Sequence, residues 1–208
     1  MSRKLVGMAI YLRHGQTNYT NIFPDLTGDG VKTIKKSATA IKLITGEHFQ
    51  LSISSSPKPR AMGSASLIAN VLGYKERILE EPKLHINRGA QAVSHGTDEW
   101  FVDRKTMEPV TEIRKIFFKY FSWQINQMLS PSGTPNCFIC ISHTEILCHF
   151  VEQAFGTDLT GDEGLPHGAI LAISVFDIGK QNIVEIEITF LGRKTVKLFN
   201  YLKKEFQQ

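Results

Sequence analysis

The chain has 208 residues, of which 42% are hydrophobic and 21% charged, and its formal net charge is +4. These values are ordinary for one soluble globular domain over residues 1–208, and no apolar run is long enough to cross a bilayer. Lysine and arginine are spread along the chain, so we expect neither a nucleic-acid nor a membrane partner, whereas an anionic small substrate fits this balance.

The first predicted element is a strand over Leu5 to Leu12, which is almost entirely apolar, as a strand covered on both faces can be. We interpret this apolar run as a strand and not as part of a signal peptide, because it is too short and no clear small-residue cleavage site follows it. The strand ends abruptly in Arg13-His14-Gly15, where the glycine permits a sharp turn and a close approach to a ligand. Since open α/β sheets bind ligands beyond the carboxyl ends of their strands, Arg13 and His14 are candidate site residues. A core histidine beside a surface arginine is the alternative.

A polar loop and a helix follow this turn. The loop contains Thr20 and Asn21, whose side chains could bind an anion or simply face solvent. Apolar residues then recur at helical spacing from Val31 to Ile44. Thr27 or Asp29 can cap the helix at its start, and Gly46 is a suitable stop.

The second junction is the stretch from Ser55 to Ala61, which follows a predicted strand over residues 49–54. Its two prolines push the preceding residues out of the helical region and so predict a defined bend. Arg60 then lies at the start of a helix that Gly73 ends. An arginine there suits an anion, because the first N–H groups of a helix also attract negative charge. A solvent-exposed arginine is the alternative.

The middle of the chain is the least regular. No clear periodicity is evident from Tyr74 to Asp103, which predicts an irregular, lid-like insertion near 75–107 that could cover a site. Thr111 then opens a long amphipathic helix that reaches Met128 and is broken by the proline-rich loop over 130–135.

The third junction is Ser142-His143, which comes directly after an apolar strand and before a helix that Thr144 could cap. His143 thus repeats the position of His14 at the end of its own strand. Two further segments, 169–176 and 183–190, are joined through residues 177–179 and predict a hairpin. Polar residues 203–205 predict a frayed tail.

The three cysteines are Cys137, Cys140 and Cys148. The spacing of the first two could indicate a metal or redox pair. However, both lie in a predicted strand, whose alternation points residues three apart to opposite faces. No second pair exists to complete a zinc site, so we expect buried small hydrophobes, no metal, and a reducing cytoplasmic location.

These junctions, in this order, resemble the motifs of the histidine phosphatase superfamily, which has the phosphoglycerate mutase-like fold. The matching segments are Arg13 to Thr17, Leu26 to Gly30, Ser55 to Ala61, Ser142-His143, and Leu165 to Ile170, where the family more often has Asn in place of His167. The resemblance spans most of the chain. It implies an α/β fold, a three-layer sandwich in which helices flank a mostly parallel central sheet.

The resemblance also implies a phosphomonoester hydrolase that needs no cofactor. His14 would be the nucleophile that becomes phosphohistidine, and Arg13, Arg60 and His143 would surround the phosphate. Thr20 or Asn21 would add a substrate contact, although the family usually has Asn at the position of Thr20. The expected substrate is a small phosphorylated molecule or a phosphoprotein.

One departure concerns the proton that a leaving alkoxide needs. The family's nearer branch has a glutamate for this role in the segment after the second arginine, whereas Leu84 to Gly89 contains no carboxylate. We favour Glu81, just upstream, as the donor, with His85 and Glu145 as alternatives.

Two other functions stay open at this stage. A phosphoglycerate mutase-type phosphotransferase would share the same core residues. A catalytically weak phosphate-binding regulatory protein would explain the missing glutamate. The segment from Lys75 to Asp103 lacks the Gly-x-Trp-Glu-Gly-like pattern of many relatives, so the sequence does not identify the substrate.

Overall fold

The computed structural model describes residues 3–18, 25–85, 90–92, 101–103, 111–130, 133–155 and 165–207. The helices lie between strands in the first three quarters of the chain, and the elements described from residue 165 onward are strands. In chain order they are β1 (Lys4–Arg13), β2 (Thr17–Asn18), β3 (Asp25–Leu26), α1 (Gly28–Thr45), β4 (Gln50–Ser55), α2 (Pro59–Leu72), β5 (Leu79–Glu80), β6 (Ala90–Ala92), β7 (Phe101–Asp103), α3 (Thr111–Leu129), β8 (Asn136–Ser142), α4 (Thr144–Phe155), β9 (Ile170–Lys180), β10 (Ile183–Phe190), β11 (Arg193–Asn200) and β12 (Glu205–Phe206).

The central sheet has eight strands in the order β12-β11-β10-β9-β1-β8-β4-β5. From β1 to β5 the neighbours are parallel, and from β1 to β12 they are antiparallel. The expectation of a mostly parallel sheet is therefore wrong, because the sheet is mixed and largely antiparallel. The parallel half arises where a helix returns the chain to the same edge, and the antiparallel half arises where short turns reverse it.

The antiparallel half also corrects two local predictions. The predicted hairpin is confirmed, but its turn lies at residues 181–182, and β9 continues through residues 177–179 with an irregular register. Gly179, at φ +69°, accommodates this irregularity, as glycine does at many bulges. The tail is not frayed, because Phe206 of β12 pairs with Phe199 and packs on the ring of Phe150.

Two apolar clusters lie on opposite faces of the sheet. One contains buried residues of α1 and α2, and the other contains buried residues of α3 and α4. Cys137 lies in the first cluster and Cys140 in the second, which confirms that β8 points them to opposite faces. Burial raises the pKa of the Cys140 thiol to about 11, as expected of a structural cysteine.

The helix caps follow from the sequence. Thr27 is the N-cap of α1, and its hydroxyl accepts a hydrogen bond from the Gly30 N–H at 3.0 Å. Gly73 ends α2 in the left-handed conformation at φ +68°. No helix in the described parts of the chain is both long and apolar enough to cross a membrane.

Part of the region expected to be irregular has regular structure. Leu79–Glu80 adds a parallel edge strand beside β4, and a 3-10 turn follows at Pro82–Leu84. Farther along, β6 and β7 pair with each other as a separate two-stranded sheet. The proposed role of the 75–107 segment as a lid stays a prediction.

Candidate active site

Three strand-to-helix junctions meet at one place. β1 ends at Arg13 and delivers His14, β8 ends at Ser142 and delivers His143, and β4 leads into the bend before α2, which carries Arg60. The Arg60 guanidinium joins the two histidines, since its Nε donates to His14 Nε2 at 3.0 Å and its Nη2 lies 3.3 Å from His143 Nδ1. The two imidazole centroids are 5.0 Å apart.

His14 is held as one neutral tautomer. Its Nδ1 lies 2.8 Å from the Gly15 carbonyl oxygen, which can only accept, so Nδ1 carries the proton. Nε2 is then unprotonated, and its lone pair accepts the hydrogen bond from Arg60 Nε. The pKa of His14 is lowered to about 3, chiefly by burial; the hydrogen bond to Gly15 opposes this shift, and the nearby Arg60, His167 and Arg13 add to it.

His143 takes the other tautomer. Arg60 can only donate, so His143 Nδ1 accepts and its Nε2 donates to the Ser56 hydroxyl at 2.8 Å. Ser56 is itself fixed by the hydrogen bond from its N–H to the Ile141 carbonyl at 2.9 Å. Burial lowers the pKa of His143 to about 2, and the neighbouring His14 and Arg60 contribute to this shift.

Three different elements fix the backbone of the turn that carries His14. The His14 N–H donates to the Ser142 carbonyl at 3.1 Å, and the Gly15 N–H donates to the Ser64 hydroxyl of α2 at 3.1 Å. The His14 carbonyl accepts from Nδ1 of His167 at 3.0 Å. Only glycine fits at position 15, because a Cβ there would lie 2.9 Å from the Gly30 carbonyl oxygen.

Arg13 is held by the loop over residues 165–168. Its Nη1 donates to the Leu165 carbonyl, and its own carbonyl accepts from the Gly168 N–H at 3.0 Å. The Leu165 N–H in turn donates to the Thr144 hydroxyl at 2.7 Å, at the start of α4. The loop therefore links the first residues of α4 to the end of β1.

The three candidate proton donors lie in different settings. Oε1 of Glu81 accepts from the Lys83 N–H at 3.0 Å, so Glu81 caps the 3-10 turn. The ring of His85, which follows that turn, lies 5.7 Å from the ring of His143. Glu145 is half-buried in the first turn of α4. Thr20 and Asn21, the predicted substrate contacts, lie outside the described residues.

Sequence reasoning missed two residues that contact this turn. Ser64 gave no signal, because a serine inside a helix has no distinctive pattern. His167 stood in a recognised motif but had no assigned role. Among the described residues, no three histidine, cysteine or acidic side chains form a group that could hold a metal ion.

No protein-family model and no curated protein matches the chain. Solved structures are similar to it over nearly their whole length. The protein histidine phosphatase SixA, in complex with tungstate, is 15% identical, with 95% of this chain and 99% of that chain covered and a TM-score of 0.55. Phosphoserine phosphatase from Entamoeba histolytica, in complex with 3-phosphoglyceric acid, is 20% identical, with 84% and 98% covered and a TM-score of 0.57.

A mycobacterial glucosyl-3-phosphoglycerate phosphatase, in complex with inorganic phosphate, is 14% identical, with 81% of this chain and 90% of that chain covered and a TM-score of 0.51. All three are members of the histidine phosphatase superfamily. At these identities the likeness shows the fold alone, and that fold is the one that the sequence motifs predict.

Proposed function

We propose that this chain, which has the histidine phosphatase fold, is a phosphomonoester hydrolase that forms a phosphohistidine intermediate on His14. The observation that carries the proposal is the fixed tautomer of His14, whose Nε2 lone pair accepts from the Arg60 guanidinium within a buried site. A neutral imidazole with a fixed tautomer is a competent nucleophile, and a guanidinium beside it can hold the phosphoryl oxygens.

In the first step, His14 Nε2 attacks phosphorus as the bond from phosphorus to the ester oxygen breaks. The ring becomes a phosphoimidazolium whose Nδ1–H stays bound to the Gly15 carbonyl, which stabilises the new charge. Arg60 must release His14 Nε2 before the attack, and the incoming phosphoryl oxygens offer its N–H groups a charged partner instead. The leaving oxygen takes a proton from an acid group.

In the second step, a water molecule attacks phosphorus and the bond from phosphorus to Nε2 breaks. Inorganic phosphate and neutral His14 result, while the proton of the water returns to the acid group. The guanidinium groups of Arg13 and Arg60 hold the charge of the transferring group throughout. His143 lies beside that group and positions Arg60, because its Nδ1 accepts from Arg60 while its N–H is donated to the Ser56 hydroxyl.

We assign the role of the acid group to Glu81, with His85 and Glu145 as the alternatives. The position of Glu81 supports this role, because its backbone N–H donates to the Ser55 carbonyl at 2.8 Å. This hydrogen bond fixes Glu81 beside the bend before Arg60. Glu81→Gln should slow turnover of an alkyl phosphate by about a hundredfold and spare p-nitrophenyl phosphate, whose leaving group needs no proton. Equal loss on both substrates would reject Glu81, and the same comparison then tests His85→Gln and Glu145→Gln.

The substrate class is a small phosphorylated molecule or a phosphoprotein. The similar structures support both substrate classes: one is a phosphoserine phosphatase and another is a protein histidine phosphatase. Purified protein should be assayed against a panel of phosphorylated metabolites and against a phosphohistidine protein. Tight phosphate binding without turnover of any of these substrates would favour the regulatory binding protein instead.

The direct test is His14→Ala, with His48→Ala as the matched control because His48 is an exposed histidine. His14→Ala should abolish hydrolysis of p-nitrophenyl phosphate, whereas His48→Ala should retain it. Acid-labile phosphate should be trapped on the wild type and on His48→Ala alone. Near-normal activity of a folded His14→Ala protein would exclude the phosphohistidine mechanism.

A further inference from the structure

His167 places a second imidazole against the nucleophile. Its ring centroid lies 5.4 Å from that of His14, about as close as the ring of His143. Its Nδ1 lies 3.0 Å from the His14 carbonyl oxygen, and because a carbonyl only accepts, Nδ1 carries a proton. The other ring nitrogen is therefore the one that gains or loses a proton. The hydrogen bond to His14 survives in both the neutral and the charged form.

The loop that carries His167 is fixed on both sides of the ring. The Gly168 N–H donates to the Arg13 carbonyl, and the Gly168 carbonyl accepts from the Ser37 hydroxyl of α1 at 2.8 Å. Gly168 has φ +71°, and a Cβ there would lie 2.6 Å from Cγ2 of Thr33. Ring and backbone are thus held in one place, so a charge on His167 would lie at a fixed distance from the phosphate site.

We propose that His167 is a positioning residue for the nucleophile and that its protonated form adds a positive charge to the phosphate site, so that binding a tetrahedral oxyanion and protonating His167 favour each other. The inference deepens the proposed function, on which it rests for the identity of the site. An asparagine at this position could donate the same hydrogen bond but could never supply the charge.

The groups around His167 allow this coupling to be measured. Arginine and lysine stay positive between pH 5 and pH 8, so they oppose the charge on His167 in the empty site, and a bound dianion offsets that repulsion. In the empty site His14 and His143 stay neutral across this range, because burial lowers their pKa values to about 3 and about 2. Among the described residues, the titratable and charged groups close to His167 are His14, whose ring and carbonyl it contacts, Arg13, whose carbonyl binds the next residue of the loop, and Lys36 of α1, which lines the same cavity as His167. Arg60 and His143 are in contact with each other, and Arg60 also contacts His14.

The sign of the effect follows from linkage. If the anion binds better when His167 is protonated, then bound anion raises the pKa of His167 by the same coupling. Affinity for the anion must therefore rise as pH falls. Sulfate is the suitable probe, because it stays a dianion throughout this range, whereas phosphate itself changes charge near neutrality.

The test measures sulfate affinity by isothermal titration calorimetry from pH 8 to pH 5 at constant ionic strength. Wild type should bind sulfate about tenfold more tightly at the acidic end, the usual size of a coupling between two sites. His167→Asn should match wild type within about twofold at pH 8 and change by less than about threefold across the range. His48→Asn, at an exposed histidine, should show the same pH dependence of sulfate affinity as wild type. His85→Asn measures how much of that pH dependence comes from the His85 ring.

Two results would overturn the inference: a wild-type affinity that does not change with pH, or a His167→Asn protein that keeps the wild-type slope. If His167→Asn does not fold, His167→Gln takes its place in the same comparison. Failure of the proposed function looks different, because pH-dependent sulfate binding would then persist in a protein that hydrolyses no phosphate ester. Hydrolysis through His14 with a pH-independent sulfate affinity would reject only the inference.

Discussion

Replacing Ser64 by alanine should loosen the turn that carries the nucleophile. The Ser64 hydroxyl is fully buried, accepts from the Gly15 N–H at 3.1 Å and donates to the Arg60 carbonyl at 2.8 Å. Ser64→Ala leaves a buried N–H without a partner, which costs about 1–3 kcal/mol in the free energy of unfolding. For a chain of this length that loss lowers Tm by about 2–4 °C for each kcal/mol.

The same substitution should slow turnover. The hydroxyl links the His14 turn to the helix that carries Arg60, so its loss lets the two groups drift apart, and a shift of about 1 Å can cost about a hundredfold in rate. Ser66→Ala is the matched control, because Ser66 lies on the same helix and donates to the Met62 carbonyl at 3.0 Å but is exposed. The control should change stability by less than about 0.5 kcal/mol.

Urea unfolding and the kcat for p-nitrophenyl phosphate, measured side by side on wild type and the two variants, test both effects. Equal stability and equal turnover of Ser64→Ala and Ser66→Ala would refute the role of the hydroxyl as an anchor. A loss of stability without a loss of kcat would show that the hydrogen bond supports the fold but does not position His14.

Three further predictions follow from the site. Arg60→Gln should lower kcat about a hundredfold or more, because it removes donors aimed at the transferring group; a kcat within a few-fold of wild type in a folded variant would contradict this. His14 and His143 stay neutral in the folded protein but take up protons below about pH 6.5 in the unfolded chain. As pH falls from 8 to 5, each histidine should therefore lower the free energy of unfolding, measured by urea unfolding, by about 2 kcal/mol. His143→Gln should remove about half of that fall, and an unchanged fall would show that His143 is protonated when folded. Gly168→Ala should destabilise the fold by about 2–4 kcal/mol, seen as a lower Tm, because it combines a left-handed φ with a 2.6 Å contact; an unchanged Tm would mean that the loop can shift at little cost.

Strands β1, β4 and β8 of the parallel half were predictable from local sequence, whereas the two-residue edge strand β5 lies in the segment that was expected to be irregular. The β1 residues from Gly7 to Leu12 are all buried, and β8 is similarly apolar. Helix α1 lies between its N-cap Thr27 and its C-cap Gly46, two residues that the sequence predicts as its limits.

The antiparallel half was harder because its outer strands have little apolar content. Phe199 is the one fully buried side chain of β11, so the segment shows no alternation that the sequence could reveal. It is a strand because it pairs with β10 along its whole length. Gly179 misled the prediction of the hairpin turn, because a glycine signals a bulge as readily as a turn.

In the site, too, the features that depend on local sequence could be predicted, and those that depend on contacts between distant segments could not. His14 and His143 could be proposed because each follows the end of a strand, where α/β proteins place their ligands, and Arg60 because it lies at the start of a helix. The contacts of Ser64 and His167 could not, because each depends on how a distant segment returns to β1. Leu165-Pro166-His167-Gly168 marks a conspicuous segment but does not say that the imidazole donates to the His14 carbonyl.

The mixed sheet explains why these groups meet where they do. β1 and β8 are parallel neighbours, but the helices that follow them pack on opposite faces of the sheet, α1 with one apolar cluster and α4 with the other. Two adjacent strands whose chains leave in opposite directions open a crevice at their carboxyl ends, and His14 and His143 lie at its two sides. On the other side of β1, antiparallel β9 must start at that same edge, so the loop before it runs past the crevice. His167 therefore reaches the nucleophile because β1 is the strand at which the sheet changes from parallel to antiparallel.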